Sequence, residues 1–275
     1  MDELYHGQPF GRLENNHVII DYLTEAGPRI VRFVPKALGE NLLAETPDYE
    51  LPSPYGPFHL RGGHRLWHAP ESSARTYVPD DSGVVVDVVE GGVRLTYDEP
   101  HTGIRKELHL TLQPDAPVAH LVHRFTNTNL WSVELAPWAI TQMRMGGTAV
   151  FPQNTEAIDP EGLQANRHLV LWQYSRWDDP RLVLGEEAIE IVTQPIAAPF
   201  KMGYFNRVGW VEYRYKDVVF RKEFTPQPDR PHVDMNCNTE TYTNDRHIEL
   251  ETLGPLVTLA PGETVEHVER WTLSN

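Results

Sequence analysis

Cysteine is almost missing. Cys237 is the only one in 275 residues, which excludes an internal disulfide framework and a thiolate metal site within the chain. A reducing compartment is the default for such a chain, and we expect a cytoplasmic protein. Cations are also scarce: 24 Lys and Arg face 39 Asp and Glu, a formal net charge of -15. That balance excludes the basic footprint needed to bind phosphate backbones or anionic bilayers, so neither nucleic acid nor membrane is an expected partner. No run approaches the roughly 18 apolar residues of a membrane span, and the opening MDELYHGQPF lacks the basic and apolar regions of a secretory signal. There is no GxSxG elbow, no GxGxxG fingerprint and no glycine-rich phosphate loop. A convincing amphipathic helix is lacking too.

What remains is rich in short strands. Hydrophobic residues make up 40% and charged residues 23%, enough for a sizeable core. Runs of Val, Ile, Thr, Leu and aromatics recur at 17–23, 29–34, 84–90, 93–98, 104–112, 118–126, 133–142 and 148–152. They continue at 188–193, 200–205, 208–215, 218–225, within 232–243, at 247–252, 256–259 and 265–273, with Gly, Pro, Asn or Asp in the gaps. A shorter candidate is 40–44; the proline-crowded stretch 46–58 reads as loop, and 155–176 is undecided, with a helical turn near 161–166. No composition shift divides the chain, so one domain is expected over 1–275. So many antiparallel strands predict an all-β fold, a large sandwich of two sheets.

The stretch HIELETLGPLVTLAPGET begins at His247. Its alternation puts Ile248 and Leu250 on one strand face and His247, Glu249 and Glu251 on the other. That polar face either meets water or lines a site. A second cluster, His64, Arg65, Trp67, His68 and Glu71, follows Gly62-Gly63 and the proline-rich loop. His64, His68 and Glu71 are metal ligands by type, but the Ala69-Pro70 break argues against a helix that would align them. A sugar suits the cluster better: Arg and His donate to hydroxyls, carboxylates accept, and an indole covers the apolar faces of the ring. Of 13 histidines, most, such as His109, His120 and His123, sit at alternating strand positions where packing explains them. Trp131, Trp138, Trp172, Trp177 and Trp210 are further platform candidates.

Three stretches resemble the aldose 1-epimerase, or galactose mutarotase-like, superfamily: Val18 to Ala44 with Gly27 and Asn41-Leu42-Leu43, the segment Leu60-Arg61-Gly62-Gly63, and Leu250-Glu251-Thr252 followed by Leu259-Ala260-Pro261-Gly262-Glu263-Thr264. The resemblance implies a mutarotase-like β-sandwich in which Glu251 takes the proton of the anomeric hydroxyl and Arg61 binds substrate. It also implies an acid histidine after the Asn-rich turn, but 127–143 reads NTNLWSVELAPWAITQM, with Trp138 near the expected position and no histidine. Either His64, His68 or His247 supplies the acid from elsewhere, or the site binds sugar without epimerising it. The expected catalytic set is therefore Glu251, His64 and His68, with Arg61, Trp67, Glu71, Trp138, His247 and Glu249 around a small-molecule sugar. No metal or cofactor is expected. The alternatives are a non-catalytic carbohydrate-binding protein and, ranked third, a lyase or glycoside-cleaving enzyme.

Overall fold

The computed structural model describes residues 4–274. Residues 1–3 and 275 of the expected 1–275 domain lie outside the described residues. The chain opens with β1 (Phe10–Glu14), β2 (Val18–Leu23) and β3 (Arg29–Pro35), and a hairpin of β4 (Glu45–Leu51) and β5 (Phe58–Gly62) leads into β6 (His64–Ala69). A meander follows in β7 (Val85–Val89), β8 (Gly92–Glu99), β9 (Ile104–Leu112) and β10 (Val118–Asn127). Next come β11 (Val133–Met143), β12 (Thr148–Pro152), β13 (Val170–Leu171), β14 (Leu182–Leu184) and β15 (Ala188–Val192). The rest is β16 (Phe200–Tyr204), β17 (Trp210–Tyr215), β18 (Val218–Phe224), β19 (Thr239–Thr243), β20 (Ile248–Leu253), β21 (Val257–Leu259) and β22 (Thr264–Ser274).

Two ten-stranded antiparallel sheets result, as the sandwich expectation requires. One runs β1-β2-β3-β6-β11-β20-β19-β16-β13, with β21 beside β11; the other runs β14-β15-β12-β17-β18-β22-β10-β9-β8-β7. Their inner faces bury one large apolar cluster that includes Ile20, Phe33, Leu110, Leu121, Phe220 and Trp271. Alternation decides each side chain's fate. Along β20, Ile248 and Leu250 join that core, while Glu249 and Glu251 face the opposite side of the first sheet.

The hairpin β4–β5 stands apart as its own two-stranded sheet. It corrects the reading of 46–58 as loop: the prolines stop pairing in the middle of the stretch, but Glu45 and Thr46 pair with Gly62 and Arg61, and Glu50 and Leu51 with His59 and Phe58. The 40–44 candidate is not a strand; Leu43 makes only an isolated bridge to Met143. Arg61, Gly62 and Gly63 all have positive φ, and a Cβ on Gly63 would lie 2.0 Å from the Ile30 carbonyl oxygen. Glycine is required there, and the sharp turn it permits carries the chain from the hairpin into β6.

Candidate functional site

Five adjacent strands, β6, β11, β20, β19 and β16, carry the outer face of the first sheet, and the β4–β5 hairpin lies over one side of it. A pocket of about 180 Å³ opens between them, lined by Tyr49, Trp67, Tyr77, Trp138, Tyr174 and Tyr242 and by the polar groups of Arg65, Glu71, Lys201, His247 and Glu249. Trp67 and Trp138 are cross-strand partners, their rings 5.6 Å apart and edge-on. They continue into a buried cluster with Phe58, Leu60 and Leu253, so the aromatic wall is packed and fixed.

The polar side of the pocket is a chain of ion pairs. The Arg65 guanidinium carbon lies over the Trp67 indole, 4.0 Å from its centre, and Nη2 donates to Glu249 at 3.1 Å, while Nε and Nη1 have no partner. Burial pushes the Glu249 carboxyl up, but Arg65 and His247 outweigh it and hold the group at about 2. Gln142 donates to Glu249 and sits 2.9 Å from His247 Nε2, leaving His247 Nδ1 unpartnered.

Glu251 stands directly opposite Glu240 across the β19–β20 pair, an arrangement of like charges that destabilises a sheet unless it is compensated. Lys201, from β16, compensates it: Nζ lies 2.8 Å from Glu240 and 3.2 Å from Glu251. Two indoles, Trp138 and Trp172, flank the ammonium at 4.6 and 4.5 Å. Burial drives the Glu240 carboxyl well up, and burial pushes Glu251 up to about 7 against the pull of Lys201. Burial opposes charge on Lys201 as well, yet the two carboxyls hold its pKa well above the usual lysine value. The Trp138 indole N–H donates to Glu251 Oε2 at 2.7 Å, whereas Oε1 is buried without a partner. Glu251 is 0% exposed; it sits beneath the pocket, behind Trp138 and Lys201.

The structure thus brings together Trp67, Glu71, Trp138, His247 and Glu249 at the pocket, with Glu251 just behind them. Three expected site residues lie elsewhere. His64 and His68 occupy the alternate positions of β6 and point between the sheets, His64 toward His123 and His68 toward Glu99 at 3.0 Å. The register of β6 is the reason: with Arg65 and Trp67 outward, both histidines are forced inward. The same alternation separates them from Glu71 at the pocket rim, so these three cannot share a metal. Arg61 leaves the pocket at the left-handed turn and is committed to Asp80 and Asp81 beside a second cleft. Among the remaining tryptophans, Trp131 and Trp177 are exposed.

Sequence reasoning missed Lys201, Glu240 and the tyrosines. Lys201 had a signal, a lone lysine between the apolar Phe200 and Met202 of a strand buried throughout. Tyr49 had none, because its strand reads as proline-rich loop. Among the described residues one group has metal-ligand type and spacing, His64, His123 and Glu269, and it lies between the sheets rather than at the pocket.

No protein-family model matches the chain, and no curated protein matches it. Solved structures do. A galactose mutarotase-like protein from Lactobacillus casei ATCC 334 superposes with a TM-score of 0.64 at 12% identity, over 97% of this chain and 100% of that one. A galactose mutarotase related enzyme from Lactobacillus acidophilus gives 0.61 at 6% identity, over 97% and 98%. A galactose mutarotase-like protein from Clostridium acetobutylicum gives 0.57 at 12%, over 99% and 97%. The chain therefore has the galactose mutarotase-like fold.

Proposed function

We propose that the pocket binds a sugar and that Glu251 is the base that interconverts its anomers. The aromatic wall suits the C–H faces of a sugar ring, and Arg65, Lys201, His247 and Glu249 offer donors and acceptors to its hydroxyls. The observation that carries the reading is the Glu251 carboxyl: its pKa of about 7 is matched to proton transfer near neutral pH, and Oε1 has no partner.

His247 is not the matching acid. It lies four residues before Glu251, just ahead of β20, about 13 Å away at the rise of an extended chain and too far to serve the same ring atom pair. Lys201, 3.2 Å from Glu251, takes that place in our reading. Glu251 accepts the anomeric hydroxyl proton as the ring C–O bond breaks and a carbonyl forms, and the ring oxygen takes a proton from Lys201. Loss of the Glu251 charge removes part of what holds the Lys201 proton, so the two transfers assist each other. Closure on the other face of the carbonyl reverses both. The reaction requires Trp138 and Lys201 to shift enough for the sugar to reach Glu251.

Anomer exchange measured by NMR over a panel of aldoses tests this. Glu251→Gln is expected to lower the exchange rate by at least about 100-fold, the scale of a lost general base, with the fold retained. In the native chain the rate rises with pH through about 7, as the base deprotonates. Complete burial of Glu251 favours a second reading, recognition without turnover. A sugar that binds but is not exchanged faster than in buffer establishes that reading and sinks the first. Product release from a polyuronate or oligosaccharide would point to cleavage instead.

A further inference from the structure

We propose that His64, His123 and Glu269 form a zinc site that ties the two sheets together. His64 comes from β6 of one sheet, and His123 and Glu269 come from β10 and β22, neighbours in the other. All three are at most 1% exposed. His64 Nε2 and His123 Nε2 are 3.2 Å apart, and Glu269 Oε2 is 3.9 and 3.6 Å from them. A triangle with these sides has its centre about 2.1 Å from each corner, the length of a zinc–imidazole or zinc–carboxylate bond. The ring centroids stand 5.0 Å apart, as they do when both nitrogens aim at that centre. A linear N–H···N bond of 3.2 Å would hold them about 0.5 Å further apart.

The surroundings orient two of the three donors, His64 and Glu269. His64 Nδ1 lies 2.9 Å from Thr141 Oγ1, the second contact that orients a ligating imidazole. The Trp271 indole donates to Glu269 Oε2 at 3.0 Å, and Thr252 and Lys222 hold Oε1, Lys222 at 2.8 Å. His123 Nδ1 has no partner. Three potential lone-pair donors converge in the buried core, so either a cation or a donated imidazole N–H has to lie between them. Lys222 already balances the carboxylate, so affinity must come from the imidazoles. That selects a zinc-like cation and rejects calcium or magnesium, which need six or more oxygens. The rival occupant is a single proton shared by the two histidines.

The test is zinc content. Full-length protein expressed in zinc-supplemented medium, and a second sample refolded with zinc, are freed of loose metal with EDTA and analysed by elemental mass spectrometry. One zinc per chain is expected, with a thermal midpoint several degrees above protein refolded without metal. Only traces of zinc in both samples, or identical midpoints, establish the shared proton and overturn the proposal. His123→Gln should fold and retain no zinc; full retention would also overturn it. Should that variant fail to fold, X-ray absorption of the loaded native chain decides, since two imidazoles and a carboxylate oxygen, with one further light-atom ligand completing the tetrahedron, are expected, and a shell without two imidazoles rejects the site.

Discussion

Lys201 is the residue on which the pocket's electrostatics turn. One ammonium serves two buried glutamates that face each other across a strand pair, and both carboxyls are pushed up by burial. The sign of its contribution to stability follows. A carboxyl whose folded pKa is raised costs stability above its unfolded value, and the cost disappears as pH falls and the group is protonated. Lys201→Met removes the compensating charge and raises both carboxyls further. It should therefore cost about 3–5 kcal/mol at pH 8, the scale of breaking a buried ion pair, and markedly less at pH 5, below the Glu251 value of about 7. Urea unfolding at the two pH values measures the difference, and an equal cost at both would mean that Lys201 matters through packing on Trp138 and Trp172 alone. Glu99 behaves oppositely. Burial would raise it, but Lys106 and His68 hold it at about 2, so its stabilisation is present above pH 4.5 and fades as pH falls toward 2.

At the scale of elements, strand alternation was the most legible feature. The division of β20 into an apolar and a polar face needs only a period of two, and of the two surroundings left open for the polar face, water or a site, the structure sets it against the pocket. The same rule would have separated Arg65 and Trp67 from His64 and His68, had 64–69 been read as a strand. The Gly62-Gly63 pair masked it, since two glycines at a strand's start read as a break. Pairing across the chain was invisible for another reason: Lys201, Glu240 and Glu251 come together through sheet order, which no local pattern encodes. Gly63 is the hinge of the arrangement. Gly63→Ala places a Cβ 2.0 Å from the Ile30 carbonyl and forces a left-handed alanine, costing about 1–3 kcal/mol from backbone conformation alone. Because β6 begins at the next residue, the displacement reaches Arg65 and Trp67. On the proposed function, sugar affinity should fall together with stability, and calorimetric binding to folded Gly63→Ala at native strength would show that β6 is anchored by its pairing with β11 instead.

For the whole molecule, the order of strands matters more than their number. Each sheet interleaves segments distant in sequence: β20 lies between β11 and β19, and the last strand, β22, lies between β10 and β18. The centre of the second sheet is therefore completed by the final segment of the described chain, and β9, β10, β18 and β22 cannot form their full ladder until it arrives. Such non-local pairing predicts slow folding, on a scale of milliseconds to seconds. It also predicts that β22 is indispensable. Removing 264–274 deletes Trp271, which is fully buried against Phe33 and Phe220 at 5.5 and 5.2 Å, and takes Glu269 from beside Lys222. Loss of a buried tryptophan alone costs about 3–5 kcal/mol, and an unpaired buried lysine adds a similar amount. Together they approach the 5–15 kcal/mol of a typical domain before any lost strand pairing is considered. The chain truncated after Glu263 should therefore show no cooperative thermal transition and no near-ultraviolet dichroism. A truncated protein that stays monomeric and melts cooperatively would mean that the first sheet and its pocket fold without the second.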